Sequence, residues 1–142
     1  MATFSRQVSV DWTGNLLEGS GKATAGSGAF ALPVTFGQRI GEAGGNTSPE
    51  ELIAGALGVC YTMVLSNMVA KKGGTTSKIN VVCEVTADKS DAGIKVVTAK
   101  LTPRAEGLSG MSADDFTATA KEAETKCPVA NALRGNVQID VA

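Results

Sequence analysis

Between Leu52 and Ala70 the chain carries no charged side chain, and nothing else in the sequence limits the fold so tightly. Nineteen residues at ~1.5 Å each make a helix of roughly 28 Å, long enough to cross a bilayer. Tyr61, Thr62, Ser66 and Asn67 are polar for lipid, however, and the flanking segments alternate like amphipathic strands of a sheet in water. A helix apolar all round then reads as a central helix that must be covered on every side. A chain of 142 residues has few elements with which to cover it. Gly55, Ala56 and Gly58 leave room for another helix to approach, so a homodimer is expected. The helix start is well marked. Ser48 suits the N-cap, Pro49 the first helical position, and Glu50 and Glu51 the positive end of the dipole, with Glu51 spaced for a capping box. Lys71-Lys72-Gly73-Gly74 marks the end, with Gly73 as the stop.

The other segments read as strands and one further pair of helices. Phe4, Val8, Val10 and Trp12 share one parity and predict a half-buried strand. Thr13-Gly14-Asn15 turns, and Leu16 to Thr24 returns as a hairpin partner. Phe30, Leu32, Val34 and Phe36 alternate again, and Pro33 on the other parity suggests an edge strand. Gly37 to Gly45 is a glycine-rich connection carrying Gln38, Arg39 and Glu42. Ile79 to Ala87 and Ile94 to Pro103 form a hairpin around a turn at Asp88 to Gly93. Ser112 caps a helix to Lys126, Cys127-Pro128 breaks it, and Val129 to Leu133 forms a short helix that Gly135 ends. Val137, Ile139 and Val141 alternate as the last strand. The expected architecture is α+β, with antiparallel sheets around a long central buried helix, and residues 1–142 forming a single domain.

Composition removes several function classes. Thirteen basic against fourteen acidic residues leave a net charge of −1, without the basic stripe that nucleic acid requires. Aromatic residues are 4% of the chain, too few for a base-stacking platform. Histidine is absent, which excludes Ser-His-Asp and Cys-His hydrolases and the His-containing zinc and iron sites. Neither metal nor cofactor is expected, and no nucleic acid or membrane partner. The N-terminal residues lack the pattern of a secretory signal, which predicts a cytoplasmic protein whose cysteines rest as thiols.

The three cysteines differ in prospect. Cys83 shares parity with Val81 and Val85 and reads as a small buried hydrophobe. Cys60 lies mid-helix, where burial raises a thiol pKa and the dipole helps little; on its neighbours alone it is another structural thiol. It becomes a thiolate only if a cation arrives from outside the helix, and in the absence of histidine that cation is Arg or Lys. Cys127, before Pro128, stands at a helix N-terminus, where unpaired N–H groups favour a thiolate, or it is a helix-end residue without a role. No C-x-x-C spacing occurs.

The segment Asn46-Thr47-Ser48-Pro49-Glu50-Glu51-Leu52-Ile53-Ala54-Gly55-Ala56-Leu57-Gly58-Val59-Cys60 resembles the helix-start-to-cysteine stretch of the OsmC/Ohr family, the osmotically inducible and organic hydroperoxide resistance proteins. Lys126-Cys127-Pro128-Val129-Ala130 looks like that family's second-cysteine motif, Phe36-Gly37-Gln38-Arg39 its arginine stretch, and Val10-Asp11-Trp12-Thr13-Gly14 its aromatic strand. The Gly37-Gln38-Arg39 piece favours the OsmC branch. The resemblance implies an intertwined homodimer acting as a thiol peroxidase on organic hydroperoxides in stress defence. On this carry-over Cys60 is the peroxidatic cysteine, Cys127 the resolving one and disulfide partner, Arg39 the activating cation and Glu50 the carboxylate that positions it. The implied reductant is a lipoyl-type dithiol. Leu57-Gly58-Val59 departs from the Ala-Ala or His-Ala that many relatives place before the reactive cysteine, which bears on pocket shape and substrate preference. Two other classes compete: a non-catalytic dimeric binding module for a small hydrophobic ligand, and a redox sensor using the same cysteines. Ten helical residues, ~15 Å, separate Glu50 from Cys60, so only the Glu50 of an antiparallel partner helix could stand beside the sulfur.

Overall fold

The computed structural model describes residues Met1–Ala142 as two compact units, Met1–Pro49 and Glu50–Ala142. In the first unit, β1 (Val8–Thr13), β2 (Ser20–Ala25) and β3 (Ala31–Val34) form an antiparallel sheet in that order. Trp12 pairs with Gly21, and Pro33 lies opposite Lys22 on an edge strand, where its missing N–H breaks no inner ladder. Both parities of β1 are exposed in the chain, including Val8, Val10 and Trp12, so the expected half-burial is not met by its own chain. The glycine-rich connection begins as a helix instead of a loop. α1 (Phe36–Ile40) is capped by Thr35, whose side chain accepts from the Gln38 N–H at 3.3 Å. Phe36 therefore leaves the strand pattern that its parity suggested. Asn46 donates to Gln38 Oε1, and the Thr47 N–H to the Pro33 carbonyl at 2.9 Å, which ties the following loop back onto α1 and β3.

The second unit begins with α2 (Pro49–Lys71), whose first residue belongs to the preceding unit. Its end is a Schellman motif. Gly73 takes φ +85°, its N–H reaches the Ala70 carbonyl at 3.0 Å, and the Gly74 N–H reaches that of Val69 at 2.9 Å. β4 (Lys78–Ser90) and β5 (Gly93–Glu106) form a longer hairpin than the apolar pattern marks, because the polar ends keep pairing as far as Lys78–Glu106 and Ser90–Gly93. A bulge between Thr86 and Ala87 shifts their register. α3 (Ala113–Lys126) and α4 (Pro128–Leu133) follow, then β6 (Gln138–Val141). β6 lies parallel to β5, with Ala99 opposite Ile139, so this sheet is mixed and not wholly antiparallel. The chain returns through α3 and α4 before β6, which is the crossover that a parallel pair needs.

One core holds the second unit together. Leu57, Tyr61, Leu65, Met68 and Val69 of α2 meet Ala99 and Leu101 of β5 and Phe116, Ala120 and Ala123 of α3. Only this face of α2 is covered. Leu52, Val59 and Met63 are exposed, Val59 by 64% and Met63 by 69%. The helix buried on every side is thus half realised within one chain. α2 is long and apolar enough to cross a membrane, as well as to serve as a core helix.

Candidate active site

Cys60 and Cys127 meet in the second unit. Cys60 is half-buried on α2 beside Leu57, Tyr61 and Val64 and packs against the core. Cys127 is fully buried where α3 gives way to α4. Cys60 packs against the cluster that contains Cys127 and stands near enough to add to the rise in its pKa, and both thiols are free in this structure. The local sequence explains why the second sulfur points inward. Phe116, Ala120, Ala123 and Cys127 recur at helical spacing along the buried stripe of α3, and Pro128 then fits the first position of α4.

Cys127 is also the N-cap of α4. Its sulfur accepts from the Ala130 N–H at 3.4 Å, and the Val129 N–H lowers its pKa as well. The expectation that these N–H groups make Cys127 an easy thiolate is overturned. Its pKa is raised, chiefly by burial, and the neighbouring Cys60 adds to the rise. Six helical residues offer too small a dipole to outweigh complete loss of water. Tyr61, next to Cys60, is pushed up too, by burial first, then by the charge of Glu124 and by Cys127. Its hydroxyl donates to the Ala120 carbonyl at 2.6 Å.

The remaining expected residues belong to α1 and to the start of α2. Arg39, half-buried, occupies the last turn of α1 in the first unit. Glu50, half-buried, opens the second unit on the first turn of α2. The rise of α2 puts it ~15 Å from Cys60 along the axis, so this helix does not bring the two together. Cys83 is half-buried, and burial raises its pKa. Instead of being sealed in the strand core, it lines a groove of about 540 Å³ with Gly55, Gly58, Val59, Met63 and Val81. Cys60 does not line this groove. The sequence reading missed Glu124 and Arg134. Glu124 falls on the buried stripe of α3, three residues before Cys127, and Arg134 Nη1 lies 2.7 Å from its Oε1. The signal available was a carboxylate at an apolar position of a helix. No cluster of His, Cys, Asp and Glu fit for a metal ion is present.

Residues 41–142 match the family model described as OsmC-like protein. The chain is 31% identical over 140 residues to peroxiredoxin OsmC of Escherichia coli, covering 97% of this chain and 96% of that protein. It is 30% identical over 117 residues to organic hydroperoxide resistance protein-like 2 of Staphylococcus epidermidis, covering 80% and 78%. Among solved structures, the fold resembles OsmC of Legionella pneumophila, with a TM-score of 0.75 at 21% identity over 99% of this chain and 97% of the other. OhrB of Bacillus subtilis gives 0.68 at 18% identity over 95% and 96%. With a family model over most of its length, and a relative of this identity along nearly all of it, the chain belongs to the OsmC-like proteins.

Proposed function

We propose that this chain is a thiol-dependent peroxidase that reduces organic hydroperoxides to alcohols, and the observation that carries the reading is the meeting of Cys60 and Cys127. The similarity to proteins named peroxiredoxin OsmC and organic hydroperoxide resistance protein points the same way. In the first step the Cys60 thiolate attacks the outer oxygen of ROOH. The O–O bond breaks, a Cys60 sulfenic acid forms, and RO⁻ leaves to take a proton as the alcohol. In the second, the Cys127 thiol displaces hydroxide from that sulfenic acid. An S–S bond replaces the S–O bond, and the hydroxide departs with the Cys127 proton as water. A dithiol of the lipoyl type then exchanges with the disulfide, becoming oxidised itself and restoring both thiols.

The electrostatics suit this division of roles. Two sulfurs in contact do not both ionise readily. Burial raises the Cys127 pKa, which suits it to the protonated, resolving role, and Cys60, the less buried of the two, is the proposed attacking sulfur. In this proposal Arg39 supplies the cation that stabilises that anion, since a guanidinium keeps its charge at any working pH and offers donors to the peroxide oxygens. Glu50 orients Arg39, through the Glu50 of an antiparallel partner helix. A homodimer, with residues 1–142 acting as one domain in each subunit, also answers the exposed apolar face of α2. The proposed location is the cytoplasm, where the thiols rest reduced.

Mass spectrometry after one equivalent of cumene hydroperoxide tests the reading, with a Cys60–Cys127 disulfide as the expected product. Cys60→Ser is expected to abolish turnover, and Cys127→Ser to permit one turnover and expose Cys60 to overoxidation. Arg39→Ala is expected to slow the first step. Full activity in Cys60→Ser refutes the mechanism. The groove beside Cys83 favours a second reading, a module that binds a small hydrophobic ligand. Thiol titration separates the two: the peroxidase loses two free thiols per chain on hydroperoxide treatment, and the binding module loses none.

A further inference from the structure

We infer that Arg134 is a positioning residue: with Glu124 and Asn131 it holds the corner between α3 and α4, so that Cys127 stays within reach of Cys60. The inference deepens the proposed peroxidase reading and concerns its second step. Cys127 and Ala130 are buried in the core, but the corner has few polar ties of its own. Cys127 is its only non-helical residue, extended at φ −78° and ψ 118°. Its N–H reaches the Glu124 carbonyl at 3.3 Å, and its carbonyl accepts from the Asn131 N–H at 2.9 Å. A six-residue helix such as α4 does not hold itself in water.

Arg134 follows α4 directly and folds back across the corner. Nη2 donates to the Glu124 carbonyl at 3.3 Å and to Asn131 Oδ1 at 3.0 Å, while Nη1 lies 2.7 Å from Glu124 Oε1. One planar guanidinium therefore bridges the last turn of α3 and the body of α4, with Cys127 between them. The Glu124 side chain is only 11% exposed, whereas that of Arg134 is 46% exposed. Oε1 lacks hydrogen-bond geometry to any donor, so it is held by charge. A carboxylate is costly to bury without a cation, and a surface tie would not need burial. The Lys72–Glu122 pair joins the end of α2 to the same α3 with both side chains over 40% exposed, and such pairs contribute little.

Of the two sulfurs only Cys60 takes part in peroxide attack, so a loosened corner is expected to leave that step alone. Disulfide formation requires the two sulfurs to close to about 2.05 Å in a narrow range of torsions, so it depends on where the corner holds Cys127. Arg134→Ala is expected to leave the first-turnover loss of cumene hydroperoxide unchanged. It is expected to slow Cys60–Cys127 disulfide formation about tenfold or more, as small misplacements do. Cys60 sulfinic acid then accumulates under excess hydroperoxide. Arg134→Lys keeps the charge without the fork and is expected to restore part of the rate. Lys72→Ala, which removes the exposed ion pair on α3, is expected to keep the wild-type partition. Equilibration with glutathione reads the same positioning without peroxide: the Cys60–Cys127 disulfide is expected to be about tenfold less favoured in Arg134→Ala. An unchanged glutathione equilibrium, or equal slowing of both oxidative steps, overturns the positioning role. Wild-type protein that consumes no hydroperoxide, while its glutathione equilibrium still shifts in Arg134→Ala, overturns the peroxidase reading and sustains this one.

Discussion

Cys127 accepts an N–H from Ala130, yet its pKa moves up, because a sulfur without water loses more than one weak backbone hydrogen bond returns. The same holds for Cys83 on its strand and for Tyr61. All three are more readily protonated folded than unfolded. Above the ordinary thiol range the unfolded chain therefore holds fewer protons than the native one, and stability is lost as pH rises toward the raised folded values. Urea midpoints measured from pH 7 to pH 11 are expected to hold steady near neutrality and then fall. A midpoint that climbs across the alkaline range would contradict the burial argument. Tyr61→Phe removes the 2.6 Å bond to the Ala120 carbonyl while keeping the ring in the core. It is expected to cost about 1 kcal/mol in urea unfolding.

At the scale of elements, the termini of the helices follow local chemistry. Gly73 closes α2 at φ +85°, a conformation that a Cβ disfavours. No atom stands near its missing side chain, so Gly73→Ala tests backbone strain alone. A loss of about 1–2 kcal/mol is expected from thermal or urea unfolding, and an unchanged midpoint would mean that the Schellman end is dispensable. The Ser112 cap of α3, its hydroxyl accepting from the Asp115 N–H at 3.0 Å, was equally legible, as was Pro128 at the start of α4. The short helix α1 was not. Glycine at 37 and 41 reads as loop, and the Thr35 cap that starts the helix falls at what looks like a strand position.

For the whole molecule, the exposed face of α2 bearing Val59 and Met63 is where the proposed dimer is open to test. Gly55 has no neighbour within 4 Å of where its Cβ would stand, which leaves room for another backbone. If a second copy covers this face, Val59→Asp places a charge inside the interface and shifts the protein from dimer to monomer in sedimentation velocity, while the single-chain core, which Val59 does not enter, stays folded. A wild-type protein that sediments as a monomer at micromolar concentration would refute the dimer.

The sequence by itself determined the long uncharged helix and its ends, the hairpin, the capped α3, and the absence of imidazole chemistry, since each depends on residues within a few positions of one another. The two cysteine motifs were recognisable for the same reason. Only the tertiary structure decided that Cys60 and Cys127, sixty-seven residues apart, come together at one core, that burial outweighs the helix end at Cys127, and that Cys83 faces a groove. It also decided that Glu124 finds its counter-charge in Arg134. Contact between remote segments and loss of water at a given atom are properties of packing, which periodicity along the chain does not encode.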